Sequence, residues 1–294
     1  MDSLSIRIGG SAVCCRIFCL AARCPPLLGV RIMMHSLSVI RMAFILSVKR
    51  SMQYRWDFMI DGLLSLTTAI LQLLPLFVLF NERGSVAGWS FEQMLVLMGW
   101  YMMLTATVEG LIAPSLAAAV SGIRTGLFDY ILMRPVDSLF LCSLVDIRLW
   151  KSIDFLFGLV LAIYAFIQLD VQLSLINITL TIILSIGGLA TAYALFVLAI
   201  AASFALVRVQ NLISVLTSLL GFARWPVHLF GMPWRLIFSF LIPIGIMTSY
   251  PVMALLGMLT LPLAMGALGT TTFFFIVARL VWKRALRGYR SASS

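Results

Sequence analysis

Residues 173–207 read LSLINITLTIILSIGGLATAYALFVLAIAASFALV, a run of 35 residues without one charged side chain. As a helix this run is about 50 Å long, whereas the hydrocarbon core of a bilayer is only about 30 Å thick. Backbone polar groups in lipid must be paired within the chain, and a helix pairs them within one segment. The run therefore predicts a transmembrane helix that tilts, projects beyond the bilayer, or breaks at Gly187 and Gly188.

The composition of the whole chain is also that of a membrane protein. Of 294 residues, 62% are hydrophobic and only 11% are charged, which excludes a soluble globular domain with a solvated surface. A transmembrane barrel would show segments of about 10 residues with alternating polarity, and continuous apolar runs dominate instead. The sequence predicts an all-α, polytopic membrane protein.

About six transmembrane helices are predicted within residues 58–282. Their expected bounds are residues 58–80, 91–120, 153–169, 173–207, 211–222 and 252–282. The basic segment 36–57 carries apolar residues near one helical face and predicts a cytoplasmic helix that lies in the membrane interface. Between spans five and six, several prolines interrupt residues 222–251, which predicts short re-entrant helices packed against protein.

The basic residues predict the orientation of these spans. If both termini are cytoplasmic, 18 of the 21 Lys and Arg residues lie inside, including those of the basic tail 283–294. Only Arg83, Arg224 and Arg235 then lie outside. An excess of basic residues in cytoplasmic loops is typical of multi-pass inner-membrane proteins, so the net charge of +10 reflects topology and not nucleic-acid binding.

Residues 1–35 form an N-terminal extension of different character. Arginines interrupt each of its apolar runs, so no secretion signal is predicted. A more ordinary sequence follows Met33 and Met34, and we expect translation to start there and not at Met1. Four of the five cysteines lie in this extension without the spacing of a zinc site, and we expect them to be free thiols.

Residues for catalysis are scarce. The chain has only two histidines, His35 and His228, and it lacks the HExxH and GxSxG motifs. None of its three lysines follows a glycine, so the Gly-Lys of a phosphate-binding loop does not exist. We expect no bound cofactor, no metal and no ATP hydrolysis by this route.

Glu109 is the one acid deep in an apolar span, and intramembrane acids are functional candidates by default. It lies about 25 Å along the helix from Glu92, which places it close to the cytoplasmic interface. An interfacial or helix-packing role is therefore favoured over proton coupling.

The loop between spans two and three, residues 121–151, contains the string GIRTGLFDYILMRPVDSLF. Leu127, Ile131 and Leu132 give it a short apolar helical face, and Arg134 with Pro135 ends the helix. Such a helix can present a rigid surface to a cytosolic partner, but an ordinary solvated loop could have the same sequence pattern.

Several of these strings resemble one family. They are Gly-Trp at 99–100, IRTGLFDYILMRPVDSLF at 123–140, FARWPVHLFGMPWRLIFSFLIPIGIMTSYPVMALLG at 222–257 and LRGYRSASS at 286–294. Together they resemble the permease subunits of type-2 ABC exporters, in the branch in which a six-span subunit is encoded beside a second permease and an ATPase. Members of that branch usually lack the N-terminal extension.

The resemblance implies a permease half that pairs with a second permease, identical or different, and with an ATPase that holds ATP and Mg. It implies a coupling element that docks on the ATPase, at Arg124, Gly126, Leu127, Asp129, Ile131, Arg134 and Pro135. It also implies a re-entrant or translocation region that includes Arg224, Pro226, Arg235, Pro243 and Pro251. Substrate and direction of transport stay open.

Two alternatives remain at this point. A stand-alone secondary transporter or channel would place ionisable groups near the bilayer midplane among broken helices. Apart from Glu109, and more weakly Asn177, the sequence shows no such group. A membrane scaffold that recruits a cytosolic complex without transport is the weaker alternative.

Overall fold

The fold was analysed in a computed structural model. It describes residues 41, 45, 47–49, 55–82, 84–86, 88–126, 128–133, 137–143, 146–169, 171, 174–204 and 210–288. The predicted extension 1–35 and most of the interfacial segment 36–57 lie outside these residues and stay predictions. Residues 42–294 belong to one compact unit.

The described residues are helical, which confirms the predicted fold class. The α-helices are α1 Arg55–Leu71, α2 Leu74–Glu82, α3 Phe91–Thr107, α4 Ala113–Thr125, α5 Phe128–Leu132, α6 Ser138–Cys142, α7 Lys151–Gln168, α8 Leu175–Ser203, α9 Gln210–Leu220, α10 Met232–Leu236, α11 Ile244–Met247, α12 Ser249–Leu255 and α13 Leu261–Gly288. A π-helical turn, Val108–Ile112, joins α3 to α4. Further short turns, Gly221–Arg224, Val227–Leu229 and Ile237–Leu241, connect α9 to α11.

Five helical stretches in this part of the chain are long and apolar enough to cross a membrane. They are Phe58–Asn81, Phe91–Ile123, Lys151–Gln168, Leu175–Ala202 and Leu261–Gly288. The first is interrupted between α1 and α2, just before Pro75, because proline cannot donate the backbone hydrogen bond that a continuous helix needs. These helices confirm a polytopic membrane protein.

Helix α8 continues unbroken through Gly187 and Gly188, so the predicted alternative of a break at the glycine pair is wrong. Gly188 instead permits close packing. A Cβ atom there would lie 2.8 Å from the Cα of Met247 and 2.9 Å from the carbonyl oxygen of Ile246. The second glycine therefore brings α11 against the middle of α8.

Two predicted spans differ from the structure. Helix α9 has 11 residues and is about 16 Å long, too short to cross a bilayer by itself. The last long helix begins at Leu261 and not at residue 252, because Gly257, with a φ of 69°, follows the end of the separate helix α12.

Helices α9 and α12 pack against opposite halves of α8. Leu216 and Leu220 of α9 line a small apolar cavity with Ala192 and Phe196 of α8, in its C-terminal half. In the N-terminal half of α8, the Thr181 hydroxyl donates to the carbonyl of Pro251 in α12, at 3.4 Å. The two short helices thus form one interrupted crossing, with the chain from 221 to 248 inserted between them.

Helices α3 and α7 cross very closely at two glycines. A Cβ atom at Gly99 would lie 2.6 Å from the Gly158 carbonyl oxygen, and one at Gly158 would lie 2.7 Å from the Gly99 carbonyl oxygen. Small residues at a crossing allow the backbones of two membrane helices to approach each other. Helix α8 packs mainly on α13, which completes the bundle.

Candidate functional site

The loop after α4 carries two short helices, as the sequence predicts. Gly126 ends α4 in the left-handed conformation, with a φ of 77°, and so turns the chain into α5. Helix α6 follows after residues 134–136, which lie outside the described residues together with Leu127. Arg134, Pro135 and Leu127 therefore keep their predicted roles without a structural account, as does the side chain of Arg124.

Phe128 anchors this loop to the bundle. Its ring is buried and packs edge to face on Phe204, with centroids 5.8 Å apart, and on Trp282, at 6.3 Å. Ile131 is half-buried and packs against the same cluster. Phe128 is not among the residues predicted from the sequence, although its position one turn before Ile131 is a signal that could have identified it.

Three large apolar side chains in and directly after α5 are exposed. Tyr130 is 64% exposed, Leu132 41% and Met133 71%. We call these three residues the α5 surface. Exposed apolar groups clustered on a loop with charged neighbours, such as Asp129, are typical of a protein-binding surface.

Helix α6 ties the loop to α8 and α13. Asp137 accepts a hydrogen bond from the Leu139 N–H at its start and forms an ion pair with Arg279 of α13, whose Nη1 lies 3.2 Å from Oδ1. The hydrogen bond from Arg279 lowers the pKa of Asp137 below its ordinary value. At the other end of α6, the hydroxyl groups of Ser143 and Tyr193 are 2.8 Å apart.

Cys142 lies within α6 and is buried. Burial raises the pKa of its thiol to about 12, so it is un-ionised at neutral pH. No group of three or more His, Cys, Asp and Glu that could hold a metal ion occurs in the described part of the chain.

Four polar residues from three helices meet at the start of α7; we call them the Lys151 cluster. The Lys151 ammonium lies 2.9 Å from Glu109 Oε2, 3.0 Å from Asp154 Oδ2 and 3.2 Å from Ser65 Oγ. Ser65 also donates a 2.5 Å hydrogen bond to Asp154. The cluster therefore connects α1, the π-helical turn after α3, and α7.

Glu109 owes its place in this cluster to the π-helical turn Val108–Ile112, in which it lies. Next to it, the Gly110 carbonyl accepts a 2.8 Å hydrogen bond from the Arg148 N–H, which holds the loop end against the turn. Glu109 forms an ion pair with Lys151, which is the first residue of a span. This pair supports an interfacial, helix-packing role for Glu109 over proton coupling. The partner Lys151 was not foreseen from the sequence.

The chain from the end of α9 into α12 contains the remaining predicted site residues. Pro226 and Pro251 are buried, Pro243 is the residue before α11, and the side chain of Arg235 lies outside the description. The Thr248 hydroxyl donates to the Ala223 carbonyl at 2.7 Å, and the Val227 N–H donates to Ser249 Oγ at 3.4 Å. These two contacts join the beginning of the inserted segment to residues 248 and 249, at the start of α12.

Arg224 ends the turn that follows α9. The carbonyl of its neighbour Ala223 accepts a hydrogen bond from Thr248, next to Met247, which packs on Gly188 near the midpoint of the 29-residue helix α8. The turn is therefore connected to the middle of α8. The assignment of Arg224 to the outer side, with Arg83 and Arg235, stays a prediction.

Comparison with known proteins gives one family. A family profile described as "ABC-2 family transporter protein" matches residues 66–293. The matched range contains all five long apolar helices except the beginning of the first, as well as the α5 surface and the Lys151 cluster apart from Ser65. Neither a curated protein nor a solved structure matches the chain.

Proposed function

Because this chain belongs to the ABC-2 family of transporter proteins, we propose that it is the permease subunit of an exporter in the inner membrane, driven by ATP hydrolysis on a separate subunit. The family match over residues 66–293 is the observation that carries this function. It favours a permease over the stand-alone secondary transporter, channel or scaffold that the sequence left open.

The proposed topology has both termini in the cytoplasm. Five long helices and the interrupted crossing of α9 with α12 make six crossings, and an even number returns the chain to the side from which it started. The basic residues in the N-terminal segment, in residues 121–151 and in the tail favour the cytoplasm for that side.

The proposed coupling element for the ATPase is the loop of residues 121–151, and Arg134 is the residue of this loop proposed to hold the ATPase. Support comes from the α5 surface, which exposes three large apolar side chains, and from Phe128, which fixes α5 to the bundle. A surface fixed in this way can pass a movement of the ATPase to α8 and α13, to which α6 is bonded through Tyr193 and Arg279. ATP and Mg would be held by the ATPase alone.

A second permease subunit, identical or different, completes the proposed transporter. The resemblance of the sequence to permeases that work in pairs supports it. Lipid and the second subunit would share the exposed apolar faces of the long helices, among them Leu63, Leu64 and Val78 on the first span.

The test is co-purification with the ATPase encoded beside this chain. The unchanged chain should recover the ATPase and export with it, but should hydrolyse no ATP alone. Arg134→Glu and Met133→Asp should each reduce recovery of the ATPase and abolish transport, because charge reversal or a buried charge at an interface costs several kcal/mol.

Lys283→Glu is the matched control, since Lys283 is exposed on α13 and is not one of the α5 surface residues. It should retain the ATPase. If the unchanged chain recovers no ATPase, the proposed function is wrong. If the unchanged chain recovers the ATPase, and Arg134→Glu and Met133→Asp recover it as well as the control does, the function stands and the coupling element lies elsewhere.

A further inference from the structure

We propose that Arg224 binds the anionic group of the transported molecule, and that this molecule is an anionic amphiphile. The inference rests on the proposed function as a permease and adds a substrate class to it. Four observations carry it: the depth of Arg224, its lack of a partner among the described residues, its position at an interrupted crossing, and the aromatic rings near it in the chain.

The depth of Arg224 is inferred from its link to α8. Through Ala223, Thr248 and Met247, the turn that ends at Arg224 is connected to Gly188, near the midpoint of α8. Because a hydrocarbon core is about 30 Å thick and α8 crosses it, this link places Arg224 near the membrane midplane.

Arg224 forms no ion pair and no hydrogen bond with any residue that the structure describes. Its Nε atom is buried without a partner, although the residue as a whole is only half-buried. A cation near the bilayer centre is energetically costly, and such residues normally pair with an acid, a carbonyl group or a ligand. The guanidinium is therefore available to an anion that is not part of this chain.

The helix dipole is too weak to explain this arginine. Arg224 lies in the last turn of Gly221–Arg224, where a cation is favoured by the C-terminal end of the helix. That stabilisation is small compared with the cost of a charge at the centre of a membrane helix. Interrupted membrane helices commonly surround binding sites near the midplane, and Arg224 lies at the interruption between α9 and α12.

Aromatic rings next to Arg224 indicate the rest of the ligand. Phe222, two residues before Arg224, stacks against Phe238 with ring centroids 5.7 Å apart, and Trp234 stacks against the same Phe238 at 6.1 Å. Phe222 and Trp234 are both exposed. A cation beside exposed aromatic surface fits a phosphate, sulfate or carboxylate that is attached to an apolar body.

The experiment uses the purified complex of this chain with its ATPase in a neutral detergent. The probes are dihexanoyl phosphatidic acid, which is anionic, and dihexanoyl phosphatidylcholine, which has the same chains and no net charge. Binding is followed by tryptophan fluorescence. The unchanged complex should bind the anionic probe about tenfold more tightly or better, as expected for hydrogen bonds to a charged group.

Arg224→Gln should reduce that preference to less than threefold, whereas Lys283→Gln should leave it unchanged. Arg224→Lys keeps the charge but loses the paired donors of the guanidinium, and should retain part of the preference. A tenfold preference that survives in Arg224→Gln, or that is missing in the unchanged complex, would overturn the inference. So would loss of a second permease subunit from Arg224→Gln, because Arg224 would then pair with an acid of that subunit.

A second measurement does not depend on the folding of any variant. A photoreactive phosphatidic acid analogue should label the unchanged chain within residues 221–241, and a phosphatidylcholine analogue should not. Labelling elsewhere by the anionic analogue alone contradicts the inference. Failure of the proposed function is recognised separately, since the unchanged chain would then recover no ATPase.

Discussion

The Lys151 cluster and Arg224 are two ways of holding a charge in a membrane protein. Lys151 has two carboxylates and a hydroxyl group within 3.2 Å, and the helices that supply them are held together by these contacts. Arg224 has no such partner in the described residues. The paired charges have a structural role within the chain, and the unpaired charge is the one that can act on another molecule.

The largest expected loss of stability comes from a substitution at the crossing of α3 and α7. This crossing brings Glu109 close to Lys151, so it supports the paired charges. We expect Gly158→Ala to destabilise the protein by about 2–3 kcal/mol, because the added Cβ would lie 2.7 Å from the Gly99 carbonyl oxygen and the backbones would have to separate. Thermal unfolding of the purified protein measures this. The matched control is Gly266→Ala in α13, where no atom lies within 4 Å of the new Cβ.

Gly266→Ala should leave the unfolding temperature unchanged or raise it, because alanine has the higher helix propensity. If both alanine variants unfold at the same temperature, the helices do not depend on close contact at Gly158. The paired region would then be less rigid than the crossing indicates.

The next effect compares the two charges directly. Lys151→Met leaves Glu109 and Asp154 without their cation and should cost about 2 kcal/mol of stability, less than for a fully buried pair because the cluster is partly exposed. Arg224→Met removes a charge without a partner, so it should leave stability unchanged or increase it. Chemical unfolding of the two variants in one detergent measures both.

A triple variant combines Lys151→Met with Glu109→Gln and Asp154→Asn, so that the two carboxylate charges are removed as well. It should regain most of the stability that Lys151→Met loses. Equal destabilisation by Lys151→Met and Arg224→Met would show that Arg224 has a structural partner after all. The distinction between the two regions would then not hold.

The smallest effect concerns the Asp137–Arg279 pair, which has a partner but is exposed to solvent. Arg279→Met should cost less than about 1 kcal/mol at neutral pH, as for other surface ion pairs. The folded-state pKa of Asp137 lies below its ordinary value of 3.8, so the pair stabilises the protein fully above that pH. The contribution disappears as the pH falls through the lowered pKa.

The measurement is the difference in unfolding temperature between Arg279→Met and the unchanged protein, at pH 7 and at the lowest pH at which both stay folded. The difference should shrink on acidification. A difference that grows at low pH would mean that Arg279 stabilises the fold by some contact other than Asp137.

The long helices were predictable because hydropathy is a local property of the sequence. The predicted starts of spans two, three and four lie within two residues of Phe91, Lys151 and Leu175, where α3, α7 and α8 begin. The sixth start was wrong because residues 252–255 are as apolar as α13, and only the backbone turn at Gly257 separates them.

Contacts between distant segments were not predictable from one sequence. Gly187 and Gly188 read as a breaking point, yet Gly188 accommodates Met247, 59 positions later. The link between the turn at Arg224 and α8, through Thr248 and Met247, is a second contact of this kind that no local pattern reveals.

The interrupted crossing also bears on how the chain enters the membrane during synthesis. A segment of 11 residues followed by an arginine offers the insertion machinery too little apolar length, and an arginine at a helix centre adds about 2.5–3.5 kcal/mol to the cost of insertion. Helix α9 therefore has to insert together with α8, and α12 can insert only once α8 is in place. For this part of the protein, insertion and tertiary folding are one event.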